Sequence, residues 1–222
     1  MQIALLGGTG DIGEGLALRW AYDTDHDVIV GSREADRAAA KADEYETELD
    51  SRGVDVEIAG LANGEAAARA DVVVLAVPAY HLADTIEAVA DEVDENTIFV
   101  SPAVGMKRDE DGFHYNRPGA GSVTDLAAGA APDDVPVVGA FHNLPAARLA
   151  NLDADLGIDT VVVGDDEDAV DFVVELAGDI DGLRPVDGGP LANAAEVEAI
   201  TPLLINVAKH NDGMHDLGVE FR

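Results

Sequence analysis

The sequence predicts an α/β fold with a doubly wound, mostly parallel sheet in the N-terminal part and a smaller α/β domain in the C-terminal part. Three observations support this fold class. Apolar segments of strand length alternate with helical patterns along the chain. The segment 71–78 carries an unbroken apolar run, as expected of a central parallel strand that is covered on both faces. The pattern changes after residue 151, so we place one domain at 1–151 and the other at 152–222.

The first apolar strand, at residues 3–6, ends in a glycine-rich turn with the spacing Gly8-x-Gly10-x-x-Gly13. A helical pattern begins immediately after it. Strand, glycine turn and helix in this order form the dinucleotide-binding unit of a Rossmann domain. Gly8 makes the tight turn, Gly10 lets the backbone approach a pyrophosphate, and Gly13 lets the helix pack against the strand. The alternative is a plain strand-to-helix turn, but the early position directly after a buried strand favours a nucleotide site.

A second apolar strand, at residues 26–31, ends in Ser32-Arg33, and Arg37 follows one helical turn later. In an NAD-binding domain, an acidic side chain at this place accepts a hydrogen bond from the ribose 2′-hydroxyl. Here the acid is absent. A hydroxyl and two guanidinium groups stand there instead and can hold a 2′-phosphate through charge-assisted hydrogen bonds. We interpret these residues as evidence that the site prefers NADP to NAD. The alternative is that they are two solvated arginines at a helix start.

Three later strands are followed by loops with uncommon residues, at 77–79, 101–104 and 141–148. Such loops lie at the carboxyl edge of a parallel sheet, where open α/β sheets bind ligands. The polar, glycine-rich segment 105–121 predicts a long loop that is functional or mobile. A second ligand is expected in the cleft between the two predicted domains. The other predicted elements are helices at 11–22, 34–50, 63–70, 80–93, 122–130, 166–178 and 189–210 (kinked at Pro202) and strands at 55–59, 97–100, 135–140, 159–164 and 182–186.

The charge balance is extreme, with 45 acidic residues against 13 Lys and Arg and a formal net charge of −32. The acidic residues are spread over the helices and loops and are not collected in a tail. An even acidic coat is suited to a cytoplasm with molar salt, where charges are screened within ~3 Å. We therefore predict a halophilic, cytoplasmic protein with no nucleic-acid partner. No segment has the ~20 apolar residues of a membrane span and no signal peptide is recognisable, so we expect no membrane partner.

The sequence is poor in groups for acid–base or covalent catalysis. It contains no cysteine, no G-x-S-x-G or H-E-x-x-H motif, and no tyrosine with a lysine four residues later. The six histidines are not at metal-ligand spacings, so we predict no metal site. The missing tyrosine–lysine pair argues against reduction of an alcohol or ketone substrate in the manner of short-chain dehydrogenases. Hydride transfer between two bound cofactors fits such a site better, because the cofactors carry the chemistry.

Several motifs, taken together, point to one family; they lie at residues 7–13, 31–33, 75–78, 100–102, 142–148 with 151–153, 181–185 with 189–191, and 201–203. This set resembles the archaeal NADPH-dependent coenzyme F420 reductases, also called F420H2:NADP oxidoreductases. The resemblance runs over the whole chain, and the motifs that begin at His142 and Asp181 are the more specific ones. It implies a two-domain homodimer that transfers hydride reversibly between C4 of the nicotinamide and C5 of an 8-hydroxy-5-deazaflavin. The implied cofactors are NADP(H) and coenzyme F420.

The resemblance also implies roles for individual residues. In this chain Arg37 replaces a lysine that we associate with the family. The pyrophosphate is implied to contact Thr9, Gly10, Asp11 and Ile12, and the 2′-phosphate to contact Ser32, Arg33 and Arg37. The nicotinamide side is implied to lie against Val77, Ala79 and Val104. The deazaflavin is implied to lie against His142, Leu144, Ala146 and Leu217.

Two residues keep alternative interpretations. His142 either hydrogen-bonds the deazaflavin during reduction, as a catalytic residue, or holds the backbone of its own loop. Arg184 either meets acidic groups of the second cofactor or pairs with one of the many nearby acids. Two other functions also stay open. One is an NADPH-dependent reductase of a small imine or metal chelate, and the other is a non-catalytic NADP-sensing protein.

Overall fold

A computed structural model describes residues 1–222 and shows an eight-stranded sheet and a separate two-stranded hairpin. The hairpin consists of β6 and β7. The strands are β1 (Gln2–Leu6), β2 (Asp27–Ser32), β3 (Ala59–Ala62), β4 (Val72–Leu75), β5 (Ile98–Ser101), β6 (Met106–Arg108), β7 (Phe113–Tyr115), β8 (Val137–Gly139), β9 (Ile158–Gly164) and β10 (Leu183–Asp187).

Nine α-helices connect or cover the strands, and three short 3₁₀ segments lie at 79–81, 90–92 and 191–193. None of these helices is long and apolar enough to span a membrane. The helices are α1 (Asp11–Asp23), α2 (Ala35–Ser51), α3 (Asn63–Ala67), α4 (Leu82–Glu87), α5 (Val123–Ala130), α6 (Ala146–Ala150), α7 (Glu167–Gly178), α8 (Ala194–Glu198) and α9 (Ile200–His210).

The sheet confirms the predicted doubly wound, mostly parallel architecture. Its strand order is β3-β2-β1-β4-β5-β8-β9-β10. The first six of these are mutually parallel, β9 is antiparallel to β8, and β10 is parallel to β9. Alternate residues of β1 enter different core clusters: Ile3 and Leu5 pack on one face, and Ala4 and Leu6 on the other. Both faces are therefore covered, which explains the continuous apolar runs.

The C-terminal segment extends this sheet through β9 and β10. One core cluster of 34 buried residues contains Leu5 of β1 together with Val162 of β9 and Val173 of α7. The predicted boundary at 151/152 falls in the turn after α6. The division of the chain into a nucleotide domain and a smaller second domain stays a prediction.

The third strand lies at Ala59–Ala62 and not at the predicted 55–59. The backbone N–H of Ile58 donates to the Glu46 carboxylate of α2 at 2.7 Å, so residue 58 is tied to that helix before the strand begins. Pairing with β2 starts at Ala59, opposite Ile29. As a consequence, Asn63 follows the carboxyl end of β3 directly.

Two other segments differ from the expectation. The loop predicted at 105–121 contains the hairpin of β6 and β7, which Asn206 of α9 fastens through two hydrogen bonds to the backbone of Phe113. The last helix, predicted at 189–210 with a kink at Pro202, is divided into a 3₁₀ turn, α8 and α9. The break between α8 and α9 lies at Ala199, and the ring of Pro202 disfavours a continuous helix over the preceding turn.

Arg19 fixes α1 to the segment after α6. Its guanidinium group is 3 % exposed and donates to four backbone carbonyls, with the shortest contacts at 2.8–2.9 Å. These carbonyls belong to residues at the C-terminal end of α6 and in the following turn, where a helix leaves acceptors without intrahelical partners. These hydrogen bonds hold α1, which starts at the glycine turn, against the end of α6 and the turn that follows it.

Candidate cofactor-binding site

A cleft of about 460 Å³ opens at the carboxyl edge of the sheet, beside the ends of β1, β2 and β4. β1 has β2 on one side and β4 on the other, so the strand order reverses here, and open α/β sheets bind ligands at such points. The cleft is lined by the glycine turn, the end of β2, Asn63 and the segment from Ala76 to Ala88. The predicted site residues on its wall are Thr9, Gly10, Ser32, Arg33, Arg37 and Val77.

The glycine turn brings α1 against β1. A Cβ atom on Gly13 would lie 2.6 Å from Cα of Gly8, and one on Gly8 would lie 2.8 Å from the carbonyl oxygen of Leu5. Both distances are too short for a real side chain. A Cβ on Gly10, in contrast, would meet only the carbonyl oxygen of Gly7, at 3.5 Å. The fold therefore needs glycine at 8 and 13, whereas at 10 the absence of a side chain keeps room in the cleft.

The start of α1 offers free donors to this cleft. The backbone N–H groups of Thr9, Asp11 and Ile12 donate to no acceptor within the protein. The N–H of Gly10 is already bonded to the carbonyl of Gly7, so Gly10 contributes space and not a donor. Unpaired N–H groups and the helix dipole together favour an anionic group at this position.

Tyr45 of α2 holds the glycine turn in place through a hydrogen bond to its backbone. Its hydroxyl donates to the carbonyl of Gly8 at 2.7 Å, and the side chain is 3 % exposed. Burial, together with the charges of Glu14 and Glu44, raises the pKa of Tyr45. The hydroxyl therefore stays protonated and keeps donating. This contact joins residues 37 positions apart.

One corner of the cleft is cationic. Ser32 is buried at the end of β2, and Arg33 and Arg37 are exposed beside it. Neither guanidinium group forms a salt bridge, although Arg52 and Arg184 are both paired with carboxylates. In a chain with a net charge of −32, two unpaired arginines in one corner leave their donors free for an external anion.

The end of β4 forms the opposite part of the cleft. Val77 packs against the glycine turn, since a Cβ on Gly7 would lie 2.7 Å from its Cγ1. Ala79 starts the following 3₁₀ turn and is half-buried against the core, while its neighbour Tyr80 is 78 % exposed at the cleft mouth. Val104 lies outside this cleft, half-buried after β5.

The residues predicted around a second cofactor lie on two segments that meet at Asp159. The Asn143 amide donates to the carbonyl of Asp159 at 2.7 Å, and the N–H of Asp159 donates to the carbonyl of Val219 at 2.8 Å. Leu144 and Ala146 follow Asn143, and Leu217 precedes Val219. Leu144 is buried, while Ala146 and Leu217 are half-buried.

His142 does not face solvent in this structure. It is 3 % exposed, its Nε2 lies 3.3 Å from the Thr124 hydroxyl, and its carbonyl accepts from the Thr201 hydroxyl at 2.6 Å. Burial lowers the pKa of His142 to about 3, so the ring is neutral at physiological pH. These contacts support the alternative in which His142 holds its own loop; the catalytic role stays a prediction.

A buried carboxylate supports the same loop. Glu198 is fully buried and accepts from the N–H groups of Val123 and Thr124, the Thr124 hydroxyl and the Tyr115 hydroxyl, at 2.8–3.0 Å. These four donors supply hydrogen-bond partners to both oxygens of the carboxyl group. Glu198 thereby joins the hairpin, α5 and, through Thr124, His142.

Arg184 pairs with an acid, as the second interpretation of its role proposed. Its Nε and Nη2 donate to the buried carboxylate of Asp159 at 2.8 and 2.6 Å, and it also donates to the carbonyl of Phe221. This arginine lowers the pKa of Asp159, which also accepts from the N–H of Phe221 at 2.6 Å. The pair fastens the C-terminal tail to β9.

Sequence reasoning missed three residues: Tyr45, Asn63 and Glu198. The contacts of Tyr45 and Glu198 join distant parts of the chain, so no local pattern reveals them. Asn63 could have been found, because it is a polar residue directly after a strand that pairs with β2; the misplaced third strand concealed it.

The sheet order, the glycine turn and the cleft at the switch point define a Rossmann-type protein with an NADP-binding domain. Residues 2–105 match the family model described as NADP oxidoreductase, coenzyme F420-dependent. The chain is 38 % identical over 212 residues to the F420-dependent NADP reductase of Methanocaldococcus jannaschii, covering 93 % of this chain and 92 % of that protein. It is 37 % identical over 217 residues to the F420-dependent NADP reductase of Methanothermobacter thermautotrophicus, covering 95 % and 90 %.

This chain therefore belongs to the F420-dependent NADP reductase family. Its fold is also that of a solved candidate F420-dependent NADP reductase from Arthrobacter sp. FB24, with a TM-score of 0.79 at 22 % identity and coverage of 100 % of this chain and 99 % of that one.

Proposed function

We propose that this protein transfers hydride reversibly between NADP(H) and coenzyme F420. The observation that carries the proposal is the cationic corner of Ser32, Arg33 and Arg37 in a strongly acidic chain, whose relatives over more than nine tenths of its length are F420-dependent NADP reductases. When bound, NADPH supplies a hydride and the deazaflavin accepts it.

The cleft fits the dinucleotide in three respects. Ser32, Arg33 and Arg37 supply a hydroxyl and two unpaired guanidinium groups for the 2′-phosphate. The free N–H groups of Thr9, Asp11 and Ile12 and the open space at Gly10 suit the pyrophosphate. We assign Val77, Ala79 and Val104 to the nicotinamide side; Val77 supports this by its place on the cleft wall.

The second site is supported by unpaired polar atoms. The protein contains four buried side-chain atoms without a hydrogen-bond partner, and three of them belong to Ser101, His142 and Asn143. Ser101 ends β5 and pairs with Gly139 of β8, and His142 and Asn143 follow β8, so the three lie at one edge of the sheet. A polar ring system such as the deazaflavin offers partners for such atoms. We place it here, with His142, Leu144, Ala146 and Leu217 as its neighbours.

Reduction of the deazaflavin would take up a hydride from NADPH and also a proton, and we assign that proton to solvent because the neutral, buried His142 is not available as its donor. Because the Thr124 hydroxyl donates to Glu198, the neutral His142 ring donates from Nε2 to the Thr124 oxygen, and its Nδ1 remains free to accept one hydrogen bond. The role we propose for the protein is to hold two cofactors side by side and keep water away from the transferred hydride.

The decisive experiment mixes the protein with NADPH and oxidised coenzyme F420 in molar potassium chloride and follows the visible absorption band of the deazaflavin. Rapid bleaching with NADPH and little with NADH supports the reaction and the 2′-phosphate site. Equal rates with NADH would contradict the 2′-phosphate assignment. NADPH binding without bleaching would contradict hydride transfer to F420; turnover of an imine instead would favour the imine reductase, and no turnover would favour the NADP sensor.

We also propose that the protein is halophilic, cytoplasmic and homodimeric, with residues 152–222 acting as a second domain beside the nucleotide domain. The even acidic coat supports the halophilic character, because self-repulsion of a net charge of −32 is tolerable only when salt screens it. Thermal melting at 0.1 M and 2 M potassium chloride tests this, with sucrose as a non-ionic control. Equal melting temperatures in both salts would contradict it.

A further inference from the structure

Asn63 carries a side-chain amide that makes no hydrogen bond within the protein. Its Oδ1 is buried without a partner, and its Nδ2 donates to no protein group. Native proteins contain few buried acceptors of this kind, because leaving one unpaired is unfavourable. The amide therefore lacks the partners that the rest of the fold supplies to nearly all of its buried polar atoms.

The position of Asn63 connects this amide with the dinucleotide. Asn63 directly follows Ala62, which is paired with Ser32 in the sheet. Its Oδ1 lies beside Gly31, since a Cβ built on Gly31 would come within 3.0 Å of it. Asn63 also lines the same cleft as Arg33 and Arg37. The amide thus stands next to the corner for the 2′-phosphate, which is the adenosine end of the cleft.

The chemistry of the amide narrows the choice of partner. Phosphate oxygens at neutral pH are acceptors, so they cannot satisfy Oδ1, and a ribose hydroxyl can donate to Oδ1 but does not present a separate acceptor beside its donor. The adenine ring carries a donor, the 6-amino group, next to an acceptor, N7. A carboxamide matches this pair with two hydrogen bonds, Oδ1 accepting from the amino group and Nδ2 donating to N7. The terminal torsion of asparagine is broad, so the amide can turn both atoms toward the ring.

We propose that Asn63 is a specificity-determining residue that recognises the adenine ring of NADP(H). The inference rests on the proposed function for the identity of the dinucleotide. It adds a base-recognising group beside Ser32, Arg33 and Arg37, to which we assign the 2′-phosphate.

The test compares NADPH with its hypoxanthine analogue, in which an oxygen acceptor replaces the 6-amino group. Dissociation constants are measured from nicotinamide fluorescence without the second cofactor. The wild type should bind NADPH roughly tenfold more tightly than the analogue, and Asn63→Ala should bind both with the same, roughly tenfold weaker affinity. The matched control is Asn96→Ala, which removes an exposed amide just before β5, at the opposite edge of the sheet. It should keep the wild-type values.

Two outcomes would overturn the inference while leaving the proposed function intact. One is a wild type that binds NADPH and the analogue equally well; this comparison needs no variant and stays decisive even if Asn63→Ala does not fold. The other is an Asn63→Ala protein that retains the preference for NADPH. A wild type that binds neither nucleotide would instead overturn the proposed function and this inference with it.

Discussion

Arg33 and Arg37 are unpaired in a chain that has 45 acidic residues. Their exposure means that a salt bridge would contribute little to folding, so stability gives no reason to keep them in one corner. A ligand phosphate does, because a guanidinium group binds its oxygens in a fixed, charge-assisted geometry. At the scale of single residues, we therefore expect the preference for NADP to depend on these two side chains and the Ser32 hydroxyl.

Replacing Arg33 and Arg37 by Ala, singly, should weaken NADPH binding roughly tenfold to a hundredfold, since a hydrogen bond to a charged group contributes about 1.5–3 kcal/mol. NADH binding should change little. The measurement is the KM for each nucleotide. Arg69→Ala is the control, because it removes an equally exposed guanidinium group outside the cleft. An equal loss for NADH and NADPH would contradict the assignment.

We expect the buried His142 to make the free energy of unfolding fall in acid. Its folded-state pKa of about 3 lies below the value of 6.5 for an unfolded histidine. Between these values the unfolded chain binds a proton that the folded protein does not, so stability is present above pH 6.5 and is lost as the pH falls toward 3. The slope from one such residue is at most ~1.4 kcal/mol per pH unit.

In His142→Asn this part of the slope should disappear. Urea unfolding in molar potassium chloride at pH 4.5, 5.5 and 7 measures the difference between variant and wild type, which cancels the titration of the many carboxylates. His210→Asn, which removes an exposed histidine, should reproduce the wild-type slope. If the free energies of unfolding of wild type and His142→Asn change with pH in parallel, the prediction is wrong and His142 titrates normally.

At the scale of elements, the six residues of the glycine turn contain glycines that are needed for two different reasons, packing and ligand binding. Gly8 and Gly13 lie too close to backbone atoms to carry a side chain, whereas Gly10 has room for one. The first requirement comes from packing α1 against β1, and we attribute the second to the proposed approach of the pyrophosphate to the backbone at Gly10.

Gly10→Ala should therefore fold with nearly wild-type stability and bind NADPH at least about tenfold more weakly, because its methyl group occupies the space of the pyrophosphate. Melting temperature and NADPH dissociation constant are measured together. Gly129→Ala, at a helical position where a Cβ meets nothing within 4 Å, is the control and should affect neither binding nor folding adversely. Unchanged NADPH binding in Gly10→Ala would place the pyrophosphate elsewhere.

Arg19 is the link between α1 and the turn after α6. Arg19→Met should lower the free energy of unfolding by roughly 3 kcal/mol, since it leaves four carbonyls without their donor. Arg148→Met removes a more exposed guanidinium group that donates only to the carbonyl of Asp155, and should cost about 1 kcal/mol or less. Denaturant unfolding of both variants measures the difference. Equal losses in the free energy of unfolding would mean that burial of Arg19 adds nothing to stability.

At the scale of the whole molecule, α9 presents an apolar surface to solvent. Pro202 is its one buried residue, while Leu203 is 59 % exposed and Val207, one turn later on the same face, is 36 % exposed. Two exposed aliphatic side chains one turn apart, on a protein this acidic, are suited to contact with a second copy of the chain. We place the interface of the proposed homodimer there.

Light scattering after size exclusion in molar salt should give a mass near twice the 23.0 kDa of one chain. Leu203→Glu should shift it to the monomer, because it introduces a charge into an apolar contact. Tyr22→Glu changes an exposed aromatic residue on α1 and should leave the dimer intact. A monomeric wild type would refute the dimer, and a dimeric Leu203→Glu would place its interface elsewhere.

The sequence by itself determined the parts of this protein that depend on local order along the chain. The apolar strands, the glycine turn and the Ser32-Arg33 pair each follow from neighbouring residues, because strand burial, turn geometry and helix starts are local properties. Only the tertiary structure decided which distant groups meet. It brought the Tyr45 hydroxyl to the glycine turn, linked His142 through Thr124 to Glu198, and paired Arg184 with Asp159. Such contacts depend on how the helices cross the sheet and leave no trace in local spacing.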